Sequence, residues 1–228
     1  LHPVMHRPNL VVFENTLVER LLLKGQRAIG IRTRSEGRGF ELMADQEVIL
    51  CGGAINSPQL LMLSGIGRAS ELEAHGISVS HTLNGAGENL QDHPTVSLAM
   101  ENPSAESYAL SWRTAHRVIM APFRYAFGHR GMLASNAAEA GGFIRSSEGL
   151  SRPDVQYTFM VGMKDNPRTL PRRHGYYLHM AVLRPRTSGK VTLRSSDPQD
   201  KPILHPNFLE NIADVQTLIR AMREARRI

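Results

Sequence analysis

A glycine pair follows a short apolar run: Val48-Ile49-Leu50 leads through Cys51 into Gly52-Gly53-Ala54-Ile55-Asn56-Ser57-Pro58. Two adjacent glycines let another group approach the backbone where a Cβ would otherwise stand. Three consecutive apolar residues before them read as a strand buried on both faces, as parallel strands are. Ser57-Pro58 reads as a helix start, with Ser as cap and Pro at the first helical position, where its missing N–H costs nothing. Gln59-Leu60-Leu61-Met62-Leu63 continues that helix, and Gly65-Ile66-Gly67 ends it. Buried strand, glycine pair, turn and short helix make the layout of a nucleotide site. It is answered downstream by Gly85-Ala86-Gly87-Glu88-Asn89-Leu90-Gln91-Asp92-His93-Pro94.

The flanks sort into two characters. Leu10–Phe13, Leu17–Leu23, Ala28–Arg34 and Phe40–Ala44 are short β runs, separated by Glu14-Asn15, Lys24-Gly25 and Gly37-Arg38-Gly39. Helices are expected over Pro58–Leu63 and Ala69–His75, the second closed by Gly76. After His93 the pattern changes. Thr95–Met100 is strand-like, and Ser111 caps a helix to about Phe127, with Val118, Ile119, Pro122, Phe123 and Ala126 at roughly helical spacing. Pro122 is expected to kink or stop it. Ala138–Ile144, Val155–Val161, Tyr176–Leu183 and Lys190–Arg194 read as strands, with a Pro- and Arg-rich, mobile loop expected between Gly162 and Gly175. A last helix over Asp214–Arg227, capped by Asn211 or Asp214, places Val215, Leu218, Ile219 and Met222 on one face. The fold class is therefore α/β and α+β in one chain. Residues 1–93 form part of a nucleotide domain, and residues 94–228 form an antiparallel sheet with helices on one side.

Charge and composition narrow the function. The net charge is +6, yet the basic residues are dispersed. Their densest groups are Arg168 with Arg172-Arg173, and Arg220, Arg223, Arg226 and Arg227, the last four complementing a helix C-terminus. Aromatic residues, 6% of the chain, do not interleave with the basic ones as a nucleic-acid stacking platform requires. No nucleic-acid partner is expected. No apolar run is long enough to span a bilayer, and Leu1–Leu10, with its histidines, prolines and Arg7, is no signal peptide. The lone Cys51 excludes an internal disulfide and fits a reducing, cytoplasmic compartment. No metal site is expected. His2 and His6 are flanked by Pro3 and Pro8, and His174 and His179 lack Cys or acidic companions at ligand spacing. G-x-S-x-G is absent. So is a complete G-x-G-x-x-G: Gly65-Ile66-Gly67-Arg68-Ala69-Ser70 and Gly85-Ala86-Gly87-Glu88-Asn89-Leu90 each lack the third glycine and read as turns.

The positions Gly53, Ala54, Asn56, Ser57, Pro58, Leu60, Leu61, Ser64, Gly65 and Gly67 resemble the second signature of the glucose–methanol–choline (GMC) flavoprotein oxidoreductases. Pro8-Asn9-Leu10-Val11-Val12, Asn89-Leu90-Gln91-Asp92-His93, Glu139-Ala140-Gly141-Gly142-Phe143 and Gly189-Lys190-Val191-Thr192-Leu193-Arg194-Ser195 look like further family segments in family order. The chain is most similar to the choline dehydrogenase and alcohol dehydrogenase branch. The resemblance implies FAD as cofactor and hydride transfer from a small alcohol, choline-like alcohols among them, giving an aldehyde or ketone. It also implies that Val18 contacts the adenine through its backbone, that Gly52 and Gly53 line the adenosine side, and that Asn89 lies in a segment near the flavin. Each has a plainer role: Val18 as a buried strand residue, the glycines as turn formers. Glu139 looks like the glutamate that contacts a trimethylammonium group in choline-oxidising relatives. Its plainer role is a structural carboxylate paired with an arginine. His93 is expected to be structural and Asp92 to accept backbone hydrogen bonds.

Family members open with the dinucleotide fingerprint and carry a catalytic His in a C-terminal segment, and neither matches here. The expectation is a fragment with no catalytic residue of its own, inactive alone and prone to self-association through exposed apolar surface. The alternative is a non-catalytic module that binds a ligand or partner.

Overall fold

The structure is a computed structural model and describes residues 1–102, 104, 107–163 and 173–228. Most of the loop expected between Gly162 and Gly175, with Arg168 and Arg172, lies outside the described residues. A 3₁₀ turn, His2–Val4, comes first. Then follow β1 (Thr16–Lys24), β2 (Arg27–Ser35), β3 (Arg38–Met43), α1 (Gly53–Leu63), β4 (Ile66–Gly67), α2 (Ala69–Ala74), β5 (His81–Thr82) and β6 (Glu88–Leu90). Next are β7 (Thr95–Glu101), a 3₁₀ turn (Trp112–Thr114), α3 (Ala115–Gly128), β8 (Ala138–Ile144), β9 (Val155–Met163) and β10 (Arg173–Val182). The order closes with β11 (Gly189–Thr192), β12 (Ile203–His205) and α4 (Ile212–Ala225).

Two compact units result, Leu1–Leu90 with Ser188–Pro206, and Gln91–Thr187 with Asn207–Ile228. The stretch Ser188–Pro206, expected with the second part, therefore belongs to the first. Its strands explain this: β11 pairs with β12 on one side and with β6 on the other, so β6 cannot be completed without it.

In the first unit β1, β2 and β3 form an antiparallel meander. The β2–β3 turn is two residues, Glu36 (φ +48°) and Gly37 (φ +80°), the mirror-image geometry that follows strand twist in tight hairpins. Thr33, buried in β2, donates from Oγ1 to the Phe40 carbonyl at 2.9 Å. The core consists of Met62, Leu72, Val191 and Leu193, and Glu71 Oε1 accepts the Leu193 N–H at 3.0 Å.

Three expectations fail here. Leu10–Phe13 is not a strand, and Val11 and Phe13 are exposed. Val48–Leu50 is not a strand either, and Ile49 is 73% exposed. A strand buried on both faces needs neighbours on both edges, and the described sheets place none beside it. Helix α1 begins at Gly53, not at Ser57, so Pro58 sits inside the helix rather than at its first position, and Gly52 is the cap.

In the second unit the sheet order is β7-β10-β9-β8, antiparallel throughout. Met180 stands between Val96 and Tyr157, and Leu178 between Leu98 and Phe159. These residues share one face, because strand side chains alternate. With Val155 they form the core that Ala221, Met222 and Ala225 of α4 cover. Tyr157 OH donates to the Ala221 carbonyl at 2.8 Å, fixing the helix on the sheet. Asn211 caps α4, its Oδ1 accepting the Ala213 N–H at 2.9 Å. Ser111 caps the 3₁₀ turn ahead of α3, and α3 runs through Pro122 to Gly128 without stopping.

Candidate functional site

In the first unit a cavity of about 440 Å³ lies among β1, β2, the extended 48–52 segment, α1 and the turn 198–202. Its walls are largely aliphatic: Leu17, Val18, Ile31, Val48, Leu50, Leu60 and Leu63, with Asn56 and Ser57 supplying polar edges. Several of these residues explain the failed strand, because Val48, Ile49 and Leu50 line a hollow instead of pairing. Gln59 Nε2 donates to the Asp200 carbonyl at 2.8 Å and holds the 198–202 turn against α1. That turn is braced by Ser195 Oγ on Asp200 Oδ2 at 2.7 Å and by Arg194 Nε on the Lys201 carbonyl at 3.1 Å.

Val18 and Gly52, expected together on sequence grounds, both line this cavity, and so does the exposed thiol of Cys51. At Gly52 a Cβ would stand 3.1 Å from Ser57 N and 3.2 Å from Ser57 Oγ, close enough that the start of α1 would have to yield by a few tenths of an ångström. Gly53 has open space around it but adopts φ +75°, a conformation that disfavours any side chain.

Asn89 is not among the residues lining that cavity. It sits on β6 at φ +60°, and its Oδ1 accepts from Ser188 Oγ at 2.9 Å. Asp92 accepts the His93 N–H at 2.8 Å.

Glu139 belongs to the second unit, at an irregularity in β8 between Ala138 and Ala140. Among the described residues its partners are two hydroxyls rather than an arginine: Ser135 Oγ at 2.6 Å and Tyr108 OH, both on Oε1. Those bonds, the serine's first and the tyrosine's second, hold its carboxyl below the usual carboxylate range. Reciprocally, the Glu139 bond pushes the Tyr108 hydroxyl up.

His179, set aside above as a metal ligand, has a setting that spacing did not show. Its neighbours Leu178 and Met180 face the core, so His179 lies on the opposite face of the sheet, between Ser97 and Thr158. Its Nδ1 meets Ser97 Oγ at 2.5 Å, and burial lowers its pKa from the ordinary histidine value. The signal available in the sequence was the alternation itself, which puts Tyr177 and His179 out of phase with the apolar residues of β10. No group of three or more His, Cys, Asp or Glu able to hold a metal occurs among the described residues.

Comparison with known proteins gives these sites a context. Two family models described as GMC oxidoreductase match, one over residues 1–95 and one over 185–228. The chain is 36% identical over its whole length to an alcohol dehydrogenase [acceptor] of Pseudomonas putida, of which it covers 42%. It is 38% identical, again over its whole length, to the mitochondrial choline dehydrogenase of Mus musculus, of which it covers 38%. A solved formate oxidase of Aspergillus oryzae, studied for modification of its FAD, superposes with a TM-score of 0.84 at 25% identity, over 97% of this chain and 44% of that one. The chain thus spans well under half the length of each.

Proposed function

The chain belongs to the GMC oxidoreductase family, whose cofactor is FAD, and from that premise we propose a separate role for each of its units in flavin-dependent alcohol oxidation. The first unit holds the adenosine end of FAD, and the second, taken by itself, offers a carboxylate to an alcohol substrate. The observation that carries this reading is the shared cavity of Val18, Gly52 and Cys51.

The cavity fits the adenosine end of FAD on its own terms. A volume of about 440 Å³ lies in the range of small-ligand sites. Aliphatic walls suit the two faces of a purine, and Asn56 and Ser57 offer hydrogen-bonding groups at the edge. Valine at position 52 would fill the space in front of Ser57. Bound there, FAD supplies the acceptor for a hydride leaving an alcohol carbon, so that the product is an aldehyde or ketone.

This chain's own residues bind and orient. Val18 and Gly52 offer backbone and close packing to the cofactor. Glu139, kept ionised by Ser135 and Tyr108, offers a fixed negative charge to a cationic alcohol, an attraction that grows as water leaves the site. No residue of the chain is assigned as the base that takes the hydroxyl proton. A reducing, cytoplasmic compartment suits the exposed Cys51 thiol.

The first test is the visible absorption spectrum after incubation with FAD and desalting. A retained flavin band that Gly52→Val removes is the expected result. A colourless protein would show that this wall does not hold the cofactor by itself and would overturn the proposal that the cavity holds the adenosine end of FAD.

A further inference from the structure

Glu139 is exposed, and an exposed glutamate ordinarily turns about all its side-chain torsions. Here two hydroxyls hold it, and both act on the same oxygen: Ser135 Oγ and Tyr108 OH donate to Oε1. Among the described residues Oε2 has no hydrogen-bond partner. The two bonds differ in origin. Ser135 belongs to the turn that leads into β8, where its Oγ also accepts the Ala137 N–H at 3.0 Å and Asn136 Oδ1 accepts the Ala138 N–H at 3.0 Å. Serine and asparagine make such bonds in turns for the sake of the turn alone. Tyr108 stands 31 residues earlier in the chain and serves no turn of Glu139.

Tyr108 is itself clamped. Ser107 Oγ meets His174 Nδ1 at 2.9 Å and Ser111 Oγ meets His174 Nε2 at 2.8 Å, so one imidazole holds the chain on both sides of the tyrosine. Ser107 Oγ also accepts the Gly175 N–H at 3.2 Å. Ala109 is buried, and its carbonyl accepts the Thr114 hydroxyl at 2.5 Å. The tyrosine hydroxyl therefore reaches Glu139 from a fixed base. Immobilising a free glutamate on binding lowers affinity by about two- to tenfold, and here the fold has immobilised it beforehand. The two donors leave the carboxylate its full charge and leave Oε2 its lone pairs.

We propose that Tyr108 is a positioning residue for substrate selection: held by the His174 clamp, it fixes Oε1 of Glu139 and so presents Oε2 to the cationic group of an alcohol. This inference rests on the reading of Glu139 as a substrate contact given above.

The test titrates the whole chain with choline and with its uncharged carbon isostere, in which a tert-butyl group replaces the trimethylammonium. Binding is read by NMR, with the glutamate carboxyl carbons labelled and the Glu139 resonance identified by its loss in Glu139→Gln. The wild-type chain should prefer choline, and Glu139→Gln should remove that preference. Tyr108→Phe keeps the ring, and circular dichroism verifies its fold. It should lower choline affinity by about fivefold and leave the isostere unchanged. Its Glu139 carboxyl should also titrate at higher pH than in the wild type, because one of the hydrogen bonds that favour the ionised form is gone. Unchanged choline affinity in Tyr108→Phe, with the preference still lost in Glu139→Gln, overturns the role of Tyr108 and leaves the reading of Glu139 standing. Tighter choline binding in Tyr108→Phe overturns it as well, because the tyrosine would then cover the carboxylate rather than present it. So does an unmoved Glu139 titration. A wild-type chain that treats choline and its isostere alike, absence of binding included, overturns the reading of Glu139 and this inference with it.

Discussion

Asp214 shows how a single carboxylate can organise the second unit. It is 2% exposed, and burial alone would raise its pKa. The N–H of Arg186, then the hydroxyl and N–H of Thr187, outweigh that and hold it below the ordinary aspartate value. All of these bonds lie between 2.8 and 3.0 Å. Asp214→Ala leaves buried donors unsatisfied, and a loss of about 2–4 kcal/mol is expected in denaturant titration. The pH dependence follows from the same shift. A carboxyl whose folded pKa lies below its unfolded one contributes stability above the unfolded value, near 3.8, and loses it as pH falls through the folded value. Wild-type stability should therefore drop more steeply below about pH 4 than that of Asp214→Asn, and equal slopes would assign the acid sensitivity elsewhere. Glu139 has the same sign of shift but lies exposed, so solvent screens most of what that shift could add to stability. On the proposed function, Glu139→Gln should weaken a cationic alcohol at least about tenfold more than a neutral one of similar size. Equal losses, read as kcat/KM for each, would make Glu139 a structural residue.

Helix α1 is where sequence logic and structure part most clearly. Ser57-Pro58 has the composition of a helix start, yet the helix begins at Gly53. Proline in a helix interior removes the bond to the carbonyl four residues back and crowds it, at a cost of about 3 kcal/mol. If the turn Gly53–Ser57 is a true part of α1, Pro58→Ala should raise stability by about 1–3 kcal/mol. If the working helix starts at Ser57, the change should be within a few tenths. Chemical denaturation of the two proteins decides between them. Elsewhere the elements most legible in the sequence are those whose partners are adjacent in the chain. β1, β2 and β3 follow from alternation and hairpin turns, and β8 coincides with the run Ala138–Ile144. Val48–Leu50 was misread because an apolar triplet states burial and not what buries it. α3 passes through Pro122 with its apolar residues in the open, so helical spacing there marked a surface and not a core. Val18 and Gly52 met in one cavity because a strand and a glycine turn are both local signals. Asn89 and His179 depend on which face of a strand meets what, and that is fixed only by pairing.

At the scale of the whole chain, the backbone passes between the units after Leu90, after Thr187 and after Pro206. The second unit is consequently closed by the last element of the sequence. Its four-stranded sheet owes its cover to α4, through Ala221 and Ala225, both fully buried, and Met222. The first unit has a separate core around Met62, Leu72, Val191 and Leu193, all contributed before Asn207. A chain ending at Pro206 therefore removes nothing from the first core and one entire side of the second. Met180 and Val155 would face water, a cost of about 1.5–3 kcal/mol for each such side chain, and Tyr157 OH would lose its Ala221 acceptor. Hydrogen exchange should show protection lost across β7, β8, β9 and β10 and kept in β1, β2 and β3. Protection lost everywhere would mean that the units fold as one cooperative body. Protection kept everywhere would mean that strand pairing alone sustains the second sheet, against the packing that joins α4 to it.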